Sequence, residues 1–534
     1  MSDDLAWGAF SDEGPWDLRP EELTWRASVP QLRDQVVESL PELTRRVGIP
    51  PVRRLGTTLR RLGWAVGRWR VGAGRGGGIE SRTDLARRLR IAAEALGPSY
   101  IKLGQIVSSG QGLFPDELVQ EFAQLRDRVQ PEPFATVRQV VEEDLGRPLH
   151  EVFSSFERRP LAAASIAQVH VARLVTGEDV VVKVQRPTVA ARVHADLKVM
   201  SWIAPYLVGR IPVAALANPP ALVELFAETI TEELDFRLEA DNMVDVGRSL
   251  VDLGQRGYVV PRPHPTLVTR RVLVMERLSG FAFDDVAGMQ DGGIDTTEVV
   301  RTGMIAFLEG AMFEGVFHGD LHSGNLLVLA DGRTGLLDFG ITGRLTDLER
   351  QAFLRLLVGA SMNDLGTQLG ALRDLGALPP DADLTALTTQ LGLDQPPVDP
   401  TSLTADELTA EIQRVVKALL ASGARLPKPL MLFVKDLVFL DGAIATLAPD
   451  LDLFAEIANI ALYFNQRHGA RIAAEAGLGD RAWDLDLSAA KLSVGIDPDE
   501  EASLTHREVR ERRRVVQERM EARRRAKGRG GRRK

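Results

Sequence analysis

The sequence predicts an α+β fold of two lobes, a small strand-bearing lobe followed by a larger helical one. Three observations predict it. Val-rich, partly alternating segments occur between residues 165 and 278 of the 534-residue chain: "SIAQVHVARL", "DVVVKVQR" and "RRVLVMERL". Helical periodicity fills the region before them. From Leu348 onward the pattern is almost wholly helical.

Each element follows in order. Residues 1 to about 45 read as an acidic extension with one helix near "VPQLRDQVVESLPELTRRV". A basic stretch comes next, "VRRLGTTLRRLGWAVGRWRVGAGRGGG", with seven arginines and no acid. Within it Leu55, Leu59, Leu62, Val66 and Trp69 align on one face of a helix over 53–70. Such a face suits an anionic bilayer surface, and equally an ordinary helix packed on the body. Gly72 to Gly78 would be a flexible linker. From Asp84 to Leu145 the pattern is helical, interrupted at Pro98, Pro115, Pro131 and Pro133. The strand segments follow with helices between them, then a short strand pair around "NLLVLADGRTGLLDFG". The helical remainder carries a Pro- and Asp-rich loop near "LPPDADLTALTTQLGLDQPPVDP". The expected boundaries are 1–78 for the extension, 79–150 for a helical region, 151–280 for the strand lobe, 281–465 for the helical lobe and 466–534 for a tail.

Composition narrows the class of protein. A hydrophobic share of 44% and a charged share of 26% are ordinary for a chain with a buried core. With no cysteine, disulfides and thiolate metal sites are excluded. The acidic start lacks an apolar h-region, so no secretory signal is expected and the location is read as cytoplasmic. "PLMLFVKDLVFLDGAIATL" is broken by Lys435, Asp436 and Asp441, and reads as a buried helix rather than a membrane span. From Arg507 to Lys534 there are 14 Lys or Arg against 4 Glu, and "RRRAKGRGGRRK" is Gly-rich, which predicts disorder at the end of the tail. The tail lacks aromatic interleaving, so nucleic acid is not an expected partner.

The chemistry is concentrated in "FHGDLHSGNLLV" and its surroundings. Asp320 and Asn325 lie five apart on a loop, and Asp338 opens "DFG". Phosphoryl transfer needs a carboxylate at the attacking oxygen, an amide and a second carboxylate for Mg²⁺, and a lysine on the nucleotide phosphates. Lys183, inside "VVVKV", is the matching lysine, since a lone charge there would be costly unless paired. Alone, D-x-x-x-x-N is turn chemistry and a lysine in a Val run marks an edge strand. The order strand lysine, D-x-x-x-x-N, DFG is that of kinases.

Four further stretches carry a resemblance to the UbiB (AarF) family of atypical kinases. "YIKLGQ" resembles the family's KxGQ motif at Lys102, Gly104 and Gln105. "AAASIAQVH" resembles its Ala-rich loop, with Ala162, Ala163, Ala164 and Ser165 at the nucleotide, and Ala167 where relatives commonly have Gly. "EELDFRLEAD" resembles its ExD helix, with Glu233, Asp235 and then Glu239, and "VLVMERLSG" resembles its hinge. The resemblance spans roughly 85 to 465. It implies a two-lobed protein-kinase-like fold with a helical N-terminal extension and an enlarged helical C-lobe, and ATP and Mg²⁺ as cofactors.

The same resemblance implies residue roles. Lys183 pairs with Glu239 and touches the phosphates, Asp320 faces the acceptor or attacking water, and Asn325 and Asp338 hold the metal. The hinge presents the Glu276 carbonyl and the Leu278 amide to adenine, with Met275 behind. Lys102, Gln105, Glu233 and Asp235 belong to a cleft-covering region. On a regular helix Glu233 and Glu239 lie about 240° apart, which assigns Lys102 to Glu233. His318 and His322 are read as loop scaffold, because hard oxygen donors suit Mg²⁺ better than imidazole does. Alanines resist the positive φ that glycines allow, so the Ala-rich loop is expected to differ from a Gly-rich one, with a helix N-terminus there as one way to meet an anion.

Gly319 stands where protein kinases carry the arginine of HRD, and no APE motif follows DFG. That favours a small-molecule, lipid or ATPase role over protein phosphorylation. Two functions stay open: an ATP- and Mg²⁺-dependent atypical kinase or ATPase supporting isoprenoid-quinone biosynthesis or lipid handling, and a nucleotide-binding pseudokinase that recruits partners. Relatives often carry C-terminal membrane helices. Here the expected route to the inner face of an anionic membrane is peripheral, through Trp64, Trp69 and the arginines, with a lipid or quinone precursor as small-molecule partner.

Overall fold

The structure is a computed structural model describing residues 9–11, 14–45, 48, 50–72, 78–108, 115–125, 130–207, 219–392, 422–424, 427–478, 483, 485–493, 496–497, 503–512 and 514. Most of the expected 72–78 linker, the end of the Pro- and Asp-rich loop and the basic end of the tail lie outside these residues. The chain divides into two compact units, Met1–Gly254 with Val259–Ser279 and Gly335–Thr342, and Gln255–Tyr258 with Gly280–Thr334 and Gly343–Lys534.

The first unit is built on an antiparallel sheet. Its strands are β1 (Phe153–Phe156), β2 (Ala162–Ala163), β3 (Ala167–Leu174), β4 (Asp179–Gln185), β5 (Pro263–Val268) and β6 (Val272–Glu276), in the order β1-β3-β4-β6-β5 with β2 paired to β3. Alternation explains the central strand β4. Val180, Val182 and Val184 are buried against Val272 and Val274 of β6 and against Val137, Val140 and Val141. Each fully buried valine contributes about 1.5–3 kcal/mol. Lys183 is in register with Val169 on one side and Leu273 on the other. It therefore lies in the middle of the sheet, where the edge-strand reading does not apply.

Ten helices of this unit carry labels: α1 (Val29–Thr44), α2 (Val52–Val71), α3 (Gly78–Leu96), α4 (Pro98–Ser108), α5 (Asp116–Phe122), α6 (Phe134–Leu145), α7 (Leu149–Val152), α8 (Val189–Leu207), α9 (Pro219–Glu232) and α10 (Phe236–Asp252). Leu43, Leu96, Tyr100, Val193, Leu197, Phe226 and Ile230 form a second core among them. The expected apolar face of α2 turns largely inward. Leu55, Leu62, Val66 and Trp69 are half-buried, and the Trp69 indole donates to the Ser81 carbonyl at 2.8 Å. Arg54 pairs with the fully buried Asp196, and Thr58 meets the Tyr100 hydroxyl at 3.0 Å. Leu59 and Trp64 stay exposed, at 47% and 62%.

The acidic start is not a loose appendage. Ala9, Phe10, Leu18, Leu23 and Trp25 are buried. Arg26 pairs with Asp241 at 2.9 Å and Asp245 at 2.7 Å, and Arg33 pairs with Asp241 at 2.7 Å, which fixes the segment along α10.

The second unit is mainly helical: α11 (Val286–Asp291), α12 (Thr296–Glu309), α13 (Asp347–Ser361), α14 (Leu365–Asp374), α15 (Leu384–Leu391), α16 (Lys428–Leu447), α17 (Leu453–Glu475) and α18 (Ser488–Ser493). Three short strands, β7 (Phe281–Ala282), β8 (Val316–His318) and β9 (Leu326–Val328), flank the Asp320 loop, and β7 pairs with β9. Phe433 of α16 stacks on Phe307 at 5.1 Å and meets Phe353 edge-on at 4.5 Å. Helix α17 runs straight through the boundary expected at 465, and Phe454 packs with Ile496, Leu504 and Val509. Among the described residues no helix is long and apolar enough to cross a membrane.

Candidate active site

In the first unit the site is organised by one buried charge. The Lys183 ammonium donates to Glu239 at 2.7 Å and to Asp338 at 3.1 Å. Burial disfavours that charge, but Asp338 and Glu239 more than offset it and hold the lysine protonated beyond its ordinary range. Burial pushes the Glu239 carboxyl up to about 7, against the pull of Lys183. The DFG backbone is tied to the same helix. The Phe339 amide donates to Glu239 at 3.4 Å, and the Asn242 side chain donates to the Phe339 carbonyl at 2.8 Å. One Asp338 oxygen accepts from the Gly340 amide at 3.0 Å.

The ExD stretch is not one helix. Helix α9 ends at Glu232 and α10 begins at Phe236, so the angle reckoned for a continuous helix does not apply. Glu233 lies in the break and pairs with Lys102 of α4 at 2.9 Å. Asp235 follows it at the start of the next helix. It caps α10, accepting from the Arg237 amide at 3.1 Å and pairing with the Arg237 guanidinium at 2.7 Å, which sets the first turn carrying Glu239. Gln105 lies three residues beyond Lys102 on α4. Gly104 between them packs closely on α5 and the residues after it, and a Cβ there would stand 2.3 Å from the end of the Leu125 side chain, which would have to shift.

The Ala-rich segment forms a hairpin rather than a helix N-terminus. Ala162 and Ala163 pair with Val169 and Gln168, and the Ala164 amide donates to Ala167 at 2.8 Å around a buried Ser165. The described residues include no alanine at positive φ, so the turn avoids the strain that alanine would suffer there. Arg186 holds this turn, and sequence reasoning missed it. Its guanidinium donates to the Ala164 carbonyl at 3.0 Å and the Gln130 carbonyl at 2.8 Å, and pairs with Glu132 at 2.8 Å. Its only sequence signal was a charge directly after a buried strand. At the hinge, Glu276 ends β6 with its side chain engaged by Ser11, by the Arg262 amide at 3.1 Å and by the Arg262 guanidinium at 3.3 Å. Met275 is buried and Leu278 half-buried.

The second unit holds the Asp320 loop. His318 accepts from the Asp320 amide at 3.1 Å, and His322 accepts from the Gly324 amide at 3.1 Å. The Asn325 side-chain amide donates to the Asp320 carbonyl at 3.1 Å. Two further residues grip the loop from α16. Lys435 donates to the Asp320 carboxylate and, at 3.1 Å, to the Gly319 carbonyl. Asp436, fully buried, accepts from the Leu321 amide at 3.0 Å, and burial pushes its carboxyl well above the usual range. In the sequence both stand only as interruptions of an apolar run.

In the first unit Asp338 offers a part-exposed carboxylate, and in the second Asn325 keeps its amide oxygen while its nitrogen is used. Each is a hard oxygen of the kind that suits Mg²⁺. Among the described residues no group of three or more His, Cys, Asp or Glu forms a metal cage by itself.

Comparison with known proteins bears on these motifs. The ABC1 atypical kinase-like domain matches residues 124–367. An uncharacterized Mycobacterium tuberculosis protein is 36% identical over 394 residues, covering 71% of this chain and 79% of that protein. An uncharacterized aarF domain-containing chloroplastic protein kinase of Arabidopsis thaliana is 32% identical over 414 residues, covering 71% and 76%. A probable protein kinase UbiB of Shewanella piezotolerans is 32% identical over 376 residues, covering 69% and 67%. Among solved structures, the complex of Rv3197 with erythromycin from Mycobacterium tuberculosis aligns with 23% identity and a TM-score of 0.36, over 66% of this chain and 93% of that one.

Proposed function

The chain belongs to the UbiB/AarF family of atypical kinases, with its α+β kinase-like fold, and from that premise we propose that it is an ATP- and Mg²⁺-dependent phosphoryl-transfer enzyme. The observation that carries the reading is Lys183, buried in the central strand and shared between Glu239 at 2.7 Å and Asp338 at 3.1 Å. A buried ammonium held between two carboxylates is ready to meet nucleotide phosphates, and the exposed side of Asp338 is ready for a cation. By the kinase motif order, the residues that would hold Mg²⁺ are Asp338 in the first unit and Asn325 in the second, and the ion would neutralise charge on the phosphates. Asp320 takes the acceptor proton or orients a water. The hinge backbone at Glu276 and Leu278 receives the base, and the alanine hairpin lies over the phosphates.

The acceptor in this reading is a small molecule, a lipid or water, in isoprenoid-quinone biosynthesis or lipid handling. The absence of HRD arginine and APE supports it. An anionic membrane surface is the proposed partner of α2, whose outward side carries Arg53, Arg60, Arg61, Arg68 and Arg70 with Trp64. The test is phosphate release from Mg·ATP by wild type, Asp338→Asn and the Arg60→Ala/Arg61→Ala pair, with and without anionic liposomes. Release that depends on Asp338, rises with liposomes and loses that rise in the arginine pair supports the proposal. Nucleotide binding without release would move the reading to a pseudokinase, and liposome stimulation unchanged in the arginine pair would remove α2 from the membrane contact.

A further inference from the structure

The candidate base of the Asp320 loop is handled by a residue from outside the loop and outside every motif so far used. Around Asp320 the main chain is held by side chains: His318 takes the Asp320 amide, Asn325 the Asp320 carbonyl, and Asp436 the Leu321 amide. Lys435 reaches the Asp320 carboxylate itself and the Gly319 carbonyl beside it. We propose that Lys435 is a positioning residue for phosphoryl transfer, clamping one oxygen of the Asp320 carboxylate so that the other is presented to the acceptor. The proposal rests on the kinase reading above and extends it to α16.

The placement of Lys435 favours this role over that of an incidental surface ion pair. Helix α16 is anchored on both sides of it: Leu432, Phe433, Asp436, Leu440 and Ile444 are buried. Phe433 stacks on Phe307 and meets Phe353 edge-on, and the fully buried Asp436 ties the next position of the helix to the loop. The lysine side chain is only 18% exposed and that of Asp320 21%, so the pair works partly out of water. A stem held on a packed helix loses little further freedom on making its bond, and a partly desolvated pair is less screened than a surface one. Phosphoryl transfer draws much of its rate from position, so a carboxylate released to rotate costs rate more than binding. The expected signature is therefore a fall in kcat with little change in the ATP KM.

The test uses the full-length chain as wild type, Lys435→Met, Lys435→Arg, Asp320→Asn and the double variant Asp320→Asn/Lys435→Met, each with its thermal midpoint measured. Lys435→Met is expected to lower kcat about 100-fold while leaving the ATP KM little changed. Lys435→Arg should recover part of the loss, and added methylammonium should restore part of it in Lys435→Met. If Lys435 acts through Asp320, the double variant is no slower than Asp320→Asn alone. Full activity in Lys435→Met, or losses that multiply in the double variant, would overturn the proposal, the second by placing the lysine on the substrate instead. Should wild type show no turnover, the kinase reading falls first. Amide exchange at residues 319–321 then still decides the inference: faster exchange in Lys435→Met supports the clamp, and unchanged exchange refutes it.

Discussion

At the scale of single residues, the site turns on groups that are costly to bury unless each has its counterpart. Lys183 and Glu239 are 12% and 4% exposed at 2.7 Å, so removing one strands the other. Breaking such a buried pair costs about 3–5 kcal/mol. In Lys183→Met the Glu239 carboxyl, already pushed up to about 7 by burial, loses the ammonium that opposed burial and rises further. The folded state then binds a proton that the unfolded state has released above its ordinary carboxyl range, so stability falls as pH rises through and beyond that range. The predicted outcome is a thermal midpoint for Lys183→Met that lies closer to wild type at pH 5 than at pH 8. An equal gap at both pH values would show that Glu239 is not the stranded group. Legibility divides the residues in the same physical way. Lys183 and Asp338, which the structure brings together at 3.1 Å, were readable because they stand in the motif order of kinases. Lys435 and Arg186 were not, since a charge within or beside an apolar run does not reveal a partner 115 or 22 positions away.

At the scale of elements, tertiary packing overrode local preference in two places. Alanine is the best helix former, yet Ala162 and Ala163 are strand because β3 offers a pairing edge and Arg186 closes the turn. The acidic average of the first residues concealed Phe10 and Trp25, which composition cannot separate from their charged neighbours. Phe10 gives an element-scale prediction. Its ring lies against Gly247 of α10, where a Cβ would come within 2.4 Å. Gly247→Ala would gain about 1 kcal/mol in helix propensity, but overpacking of a filled site costs about 1–3 kcal/mol. Steric cost should prevail, because the contact is with a ring buried at 1% exposure. The expected result is a lower thermal midpoint for Gly247→Ala, restored in part by adding Phe10→Ala. A raised midpoint in the single variant would mean that the N-terminal segment is not seated on α10.

At the scale of the whole molecule, the strand lobe and the helical remainder were legible because period-two and helical patterns occupy different stretches of the chain. The division into units was not, because it is discontinuous: Val259–Ser279 and Gly335–Thr342 belong with the first unit although they lie beyond its main run. Contiguous boundaries cannot express that. We propose that this chain turns over Mg·ATP with Asp320 at the reacting oxygen, and phosphate release from Mg·ATP by wild type and Asp320→Asn, with ATP binding measured on the same samples, decides it. Wild type is expected to turn over, and the variant to lose about 100-fold or more at unchanged ATP affinity. Equal turnover in both proteins, or none in wild type despite bound nucleotide, would contradict it.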